Sequence, residues 1–179
     1  MKSLIGVNGL IEGGKSTVAD YLVENYGYTK LSFGRAVKES VIQLFGLNPE
    51  QVYTTEGKAT IDKFWGITPR DILQRYATEG LRDNFGFDFW VRVLERQVKN
   101  MDKPELKIVI DDVRFSNEAQ FVKNYGGTIW HVYRTIPDPE NKEVHRSELP
   151  LPFELIDNRI DNTSSLSNLY IQVNNLILN

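Results

Sequence analysis

Gly9-Leu10-Ile11-Glu12-Gly13-Gly14-Lys15-Ser16 fits the pattern G-x-x-x-x-G-K-[ST]. No other stretch constrains the fold as much, because this octet works only between a strand and a helix. Ser3 to Asn8 (SLIGVN) is a short apolar run before it. Lys15 to Asn25 follows with a helical pattern, Val18, Tyr21 and Leu22 sharing a face and Gly27 placed as a C-cap. Glycines let successive backbone N–H groups turn toward one anion. The helix N-terminus adds partial positive charge. The octet therefore predicts a nucleotide-phosphate loop shaped by Gly9, Gly13 and Gly14. Lys15 would reach the β- and γ-phosphates, Ser16 would ligate Mg²⁺ through its hydroxyl, and Thr17 would add a phosphate contact. Glu12 is a departure, since a carboxylate inside an anion cradle is repulsive unless it points outward, to solvent, a cation or a ribose.

The rest of the chain alternates β-type and helical runs, the pattern of a mostly parallel sheet with crossover helices. Thr29 to Phe33, Lys107 to Ile110 (KIVI) and Thr128 to Tyr133 read as strands. Arg35 to Phe45 and Asn117 to Tyr125 read as helices. Asn48 to Gly66 is expected to be an irregular insertion. Thr68-Pro69 starts a helix running through Leu81, Pro being tolerated in the first turn. Asp88 caps the next one, with Phe89, Trp90, Val93, Leu94 and Val98 as its buried stripe and Glu95–Lys99 as an i,i+4 pair. Arg134 to Pro152 is charged and proline-rich and reads as a long surface loop of the lid type. A strand near Leu155 to Ile160 and a helix from Leu166 close the chain. Phe64, Phe85, Phe87, Phe89 and Trp90 are expected in the core. Trp65, beside Gly66, is the aromatic best placed to stack on a base instead.

Composition narrows the chemistry. The 179 residues fit one domain and contain no cysteine, which excludes disulfides, thiolate metal sites and thiol nucleophiles. The two histidines, His131 and His145, make a His-rich metal site an unpromising reading, and His131 reads as a packed strand residue. A net charge of −3 disfavours a nucleic-acid binder. No apolar run approaches the roughly 20 residues that span a bilayer. Met1 to Leu10 is too short and Gly-rich for a signal peptide. A cytoplasmic protein is expected.

Asp111 and Asp112 end the KIVI strand, where a carboxylate for Mg²⁺ or its waters belongs. Arg114 follows at the start of the next helix. In an open α/β sheet the carboxyl ends of strands form the ligand crevice, so Arg114 would face the loop's phosphate. Arg70, Arg75, Arg82, Arg134 and Arg146 supply further guanidinium forks suited to phosphate. Arg70 and Gln74 lie one helical turn apart.

In these segments the chain resembles the deoxynucleoside monophosphate kinases of tailed bacteriophages. The likeness spans nearly the whole chain. It is carried by the phosphate loop, Phe33 to Glu39, Thr68-Pro69-Arg70-Asp71-Ile72-Leu73-Gln74, Thr78 to Arg82 with Trp90-Val91, Asp112-Val113-Arg114 with Glu118, Arg134, His145-Arg146-Ser147-Glu148, and Asp161-Asn162. The resemblance implies a three-layer α/β P-loop kinase fold with a central parallel sheet, helices on both faces and a mobile lid. It implies one domain over 1–179, an acceptor-binding helical region over about 34–100 and a lid over about 134–152. Arg70, Arg82 and Arg114 would grip the acceptor's phosphate, Gln74 would address its base, and Lys38 would lie near that pocket. Arg134 and Arg146 would belong to the lid over the donor phosphates, and Asn162 would lie beside the donor's adenine. ATP and Mg²⁺ are the implied cofactors and a dNMP the small-molecule partner, for a monomer or homodimer in the cytoplasm, the host's if phage-encoded. The competing readings are a P-loop kinase with an alcohol acceptor (a nucleoside or dephospho-coenzyme-A kinase), a switch or motor ATPase, and a binding module without catalysis.

Overall fold

Five short strands form one sheet in the order β2-β3-β1-β4-β5, and every pairing in it is parallel. This is a computed structural model, and it describes residues 3–101, 106–134 and 149–178. The strands are β1 (Leu4–Asn8), β2 (Thr29–Leu31), β3 (Ile108–Ile110), β4 (Thr128–Tyr133) and β5 (Asn158–Asp161). The helices are α1 (Lys15–Tyr26), α2 (Gly34–Phe45), α3 (Pro49–Tyr53), α4 (Thr55–Ala59), α5 (Pro69–Gln74), α6 (Asp83–Phe85), α7 (Phe89–Asn100), α8 (Ser116–Asn124) and α9 (Leu166–Leu178). A π-helix, Arg75–Arg82, continues α5, and a short 3₁₀ turn covers Phe153–Leu155. The chain divides into two units, 1–32 with 101–179, and 33–100.

The first unit holds the sheet. Strands this short pair stably because both faces are covered, as parallel sheets require. Ile5, Val7, Trp130, Val132 and Ile160 point to one face and pack on Val18, Ala19 and Leu22 of α1 and Leu169 and Val173 of α9. The opposite face meets α8: a Cβ on Gly6 would press on Val122 of that helix, on Val113 and on Ile129. The crossover helices and parallel strands are therefore those the alternating pattern predicts. Gly27 caps α1 in the left-handed region at φ 70°.

The second unit is helical, around Val37, Val41, Leu47, Val52, Ile72 and Trp90. Here two expectations are corrected. Asn48 to Gly66 is not irregular, because local capping builds it. Asn48 Oδ1 accepts from Gln51 N (3.0 Å) while Gln51 Oε1 accepts from Asn48 N (2.9 Å), a capping box that starts α3. Thr54 Oγ1 then accepts from Gly57 N (2.9 Å) to start α4. Asp62 gathers Phe64 N, Trp65 N and Gln51 Nε2 into a tight turn. The backbone N–H of Trp65 first, then the Gln51 amide, hold its carboxyl below the usual carboxylate range. The second correction concerns the aromatics. Phe64 is 85% exposed at the tip of that turn, and Phe85 and Phe87 flank the break at Gly86 and are also exposed. Trp65 is pinned instead, its Nε1 donating to Phe45 O at 2.9 Å.

The helix from Thr68-Pro69 begins as expected, with Thr68 and Asp71 in a reciprocal capping box. From Arg75 it widens to i→i−5 pairing, seen at Asp83 N to Thr78 O. The Trp90 indole donates to Ala77 O inside this π-helix at 2.8 Å. The Glu95–Lys99 pair closes at 2.8 Å.

Candidate active site

The phosphate loop connects β1 to α1. Gly9 and Gly14 take positive φ values of 150° and 99°. A Cβ at Gly9 would run into the Val132 carbonyl oxygen, and one at Gly14 into the Asn162 amide. Glycine is thus required twice, for conformation and for space. Glu12 takes φ 60° at a conformational cost and is exposed, which leaves its carboxylate hydrated rather than buried against the anion. Lys15 Nζ donates to Gly9 O (2.9 Å) and Leu10 O (2.6 Å), wrapping the loop around its own ammonium. Asn162 Nδ2 donates to Gly13 O (2.9 Å), tying the loop to the turn after β5.

Beside the loop lies a cleft of about 490 Å³, bordered by Glu12, Gly14, Lys15, Ser16, Thr17, Arg134, Asn162, Thr163 and Ser164. The first unit therefore brings Arg134 and Asn162 together with the loop. The cations and hydroxyls on this border suit a phosphorylated ligand.

Asp111, Asp112 and Arg114 leave the carboxyl end of β3, the neighbour of β1 in the sheet. The two carboxylates differ in surroundings. Asp111 is ion-paired with Lys30 at 2.9 Å, and Lys30 also pairs with Asp20 at 2.9 Å. Burial pulls the Lys30 ammonium down, but these two carboxylates outweigh it and hold its pKa above the ordinary lysine value. Asp112 Oδ2 accepts from Ser32 Oγ at 2.7 Å. Arg114 N (2.8 Å) and Phe115 N (3.1 Å) donate to Glu118 Oε2, a buried carboxylate in the first turn of α8. Among the described residues no three His, Cys, Asp or Glu side chains gather into a metal cage. Ser16 and Asp112 fit the sparse oxygen set that Mg²⁺ uses when phosphates and water supply its other ligands.

In the second unit, Arg70 and Gln74 stand one turn apart on α5, both half-buried. Lys38 Nζ lies 4.9 Å from the Tyr53 ring centre. Arg82 is only 4% exposed; Nη1 donates to Phe87 O (3.3 Å), and the guanidinium lies 5.2 Å from that ring. Arg75 is exposed. Arg146, His145, Ser147 and Glu148 fall outside the described residues, as does most of 134–152.

Four residues around the loop escaped the sequence reading as actors: Asn8, Lys30, Ser32 and Glu118. Glu118 had a readable signal, a carboxylate in the first turn of a helix. Asn8 had a fainter one, a lone amide ending an apolar strand.

An all-parallel sheet with a phosphate loop after its central strand and helices on both faces defines a P-loop kinase fold. The fold is similar to dephospho-CoA kinase from Campylobacter jejuni, with a TM-score of 0.58 at 15% identity over 99% of this chain and 96% of that one. It is similar to shikimate kinase from Acinetobacter baumannii, with a TM-score of 0.52 at 17% identity over 99% and 94%. Within this class, the deoxynucleotide monophosphate kinase family profile matches residues 51–173. A protein of Acanthamoeba polyphaga mimivirus, named provisionally as a deoxynucleotide monophosphate kinase, is 35% identical over 95% of this chain and 93% of its own length. The chain belongs to the deoxynucleotide monophosphate kinase family and is a phosphotransferase.

Proposed function

We propose that the protein transfers the γ-phosphoryl group of ATP to a deoxynucleoside monophosphate, giving ADP and a dNDP. The observation that carries this reading is that the phosphate loop after β1 and the Asp112–Arg114 turn after its neighbour β3 leave the same end of the sheet, in a chain of this family. Gly9, Gly13, Gly14, Lys15, Ser16 and Thr17 hold the donor's phosphates, and Asn162 borders its adenine. Arg134, with Arg146 of a lid over 134–152, neutralises charge on the transferring group. Arg114, Arg70 and Arg82 receive the acceptor's phosphate, Lys38 lies near it, and Gln74 addresses its base from the helical region 34–100. Ser16, Asp112 and Asp111, the last already paired with Lys30, would hold Mg²⁺ or its waters, and its charge would screen the donor's phosphates when bound.

An oxygen of the acceptor's phosphate attacks the γ-phosphorus. The bond from that phosphorus to the β,γ-bridging oxygen breaks, and ADP leaves with the electron pair. The attacking oxygen is ionised at neutral pH, so the site needs positioning and positive charge rather than a general base. This accounts for a site made of Lys, Arg and backbone N–H groups. Lid closure would keep water from competing for the phosphoryl group. The substrate is a small molecule, no nucleic acid or membrane is needed, and a monomer or homodimer in the cytoplasm suffices. No described helix is long and apolar enough to cross a membrane.

The test is ADP release from ATP and Mg²⁺ with dAMP, dGMP, dCMP, dTMP and the matching deoxynucleosides. Turnover with one or more monophosphates, lost in Lys15→Ala, is the expected result and gives the base preference. Turnover with deoxynucleosides only, or without any acceptor, overturns it.

A further inference from the structure

Asn8 ends β1 and directly precedes Gly9. It is 5% exposed, and an amide so deeply buried must have its polar atoms matched. Its Nδ2 donates to Val113 O at 2.8 Å. Its Oδ1 lies 2.6 Å from Nδ1 of His131, its register partner on β4. A carbonyl oxygen only accepts, so the Val113 bond fixes which way the amide faces. His131 must then carry its proton on Nδ1 and donate to Asn8. Val113 stands between Asp112 and Arg114, and its own N donates to Val7 O at 3.1 Å. The turn that carries Arg114 is therefore fastened to the last two residues of β1, at the root of the phosphate loop.

We propose that Asn8, oriented by His131, is a positioning residue that sets where Arg114 meets the acceptor's phosphate. The proposal rests on the reading that Arg114 binds that phosphate. It acts through the turn's placement, so its loss should cost transfer to the dNMP while leaving the donor's grip intact. A displacement of about 1 Å in such a group is enough to cost on the order of 100-fold in rate.

The test is a double-mutant cycle in kcat/KM for the dNMP, with Asn8→Ala, Arg114→Ala and the pair. Asn8→Ala is expected to lower kcat/KM about 10- to 100-fold, with ATP affinity changed less than about threefold. In the Arg114→Ala background the same substitution should cost less than about threefold, because its route of action is gone. Equal losses in both backgrounds overturn the proposal and leave the parent reading standing. An Arg114→Ala variant with unaltered kcat/KM overturns the parent reading and the proposal with it. Independently of any variant's folding, ¹⁵N NMR of the wild-type protein should show His131 as the Nδ1–H tautomer; the Nε2–H tautomer would break the bridge.

Discussion

His131 illustrates how one residue couples the site to pH. Burial first, then the positive charges of Arg159 and Lys15, hold its imidazole below the ordinary value of 6.5. As pH falls through the window just below about 6.5, the unfolded chain takes up a proton that the folded chain refuses. Stability contributed by neutral His131 is thus present above that window and declines below it. Urea unfolding across this range should show a slope of stability with pH that flattens in His131→Gln; an unchanged slope would refute the assignment. At this scale the sequence was legible where chemistry is local. Gly9, Gly14 and Lys15 form one loop where their octet puts them, whereas the bond from Asn162 to Gly13 O came from no motif. Asn8 was not legible, since its meaning depends on Val113, 105 residues away, and on His131, 123 away. The Lys30–Asp111 pair was hidden for the same reason.

Among the elements, the helix bearing Arg70 and Gln74 was plain from its Thr-Pro start, but its continuation as a π-helix was not. Over eight residues, a period slightly longer than 3.6 leaves no clear mark on a hydrophobic pattern. What distinguishes this segment is a tertiary bond, Trp90 Nε1 to Ala77 O. Trp90→Phe keeps an aromatic ring but loses the N–H donor and the fused pyrrole that fills the buried site, and should cost at least about 1–2 kcal/mol in urea unfolding. A variant as stable as wild type would show that the bond contributes nothing net. The short helices α3 and α4 eluded the periodicity because five residues complete barely more than one turn. Their capping signals, Asn48 with Gln51 and Thr54, were nevertheless present in the sequence. Exposed Phe64 ran against the expectation of a core position because the Asp62 turn fixes the backbone regardless of where the ring ends up.

For the whole molecule, fold class was legible from alternation and one motif, whereas strand order was not. Strands of three residues such as β2 and β3 carry too little pattern to announce their neighbours. The order that emerges puts β1 between β3 and β4, so the loop after β1 and the turn after β3 share one edge of the sheet. A ligand gripped there stabilises the fold by mass action. ATP with Mg²⁺ at about 100 times its Kd should add about 2.7 kcal/mol to unfolding, read as a rise in Tm. The rise should vanish in Lys15→Ala, and its absence in the wild type would count against the donor site.

The same strand order has a consequence for synthesis. β1 and β2 leave the ribosome before β3, yet they do not pair with each other: β1 waits for β3 and β4, and β2 for β3. About 100 residues intervene between β1 and β3, which at about 5–20 residues per second leaves β1 without a neighbour for roughly 5–20 s. For that interval the strand that later roots the phosphate loop is an unpaired apolar edge. The step that ends its exposure is the arrival of Ile108 to Ile110, and so the nascent chain commits to its sheet only after the helical unit has been made.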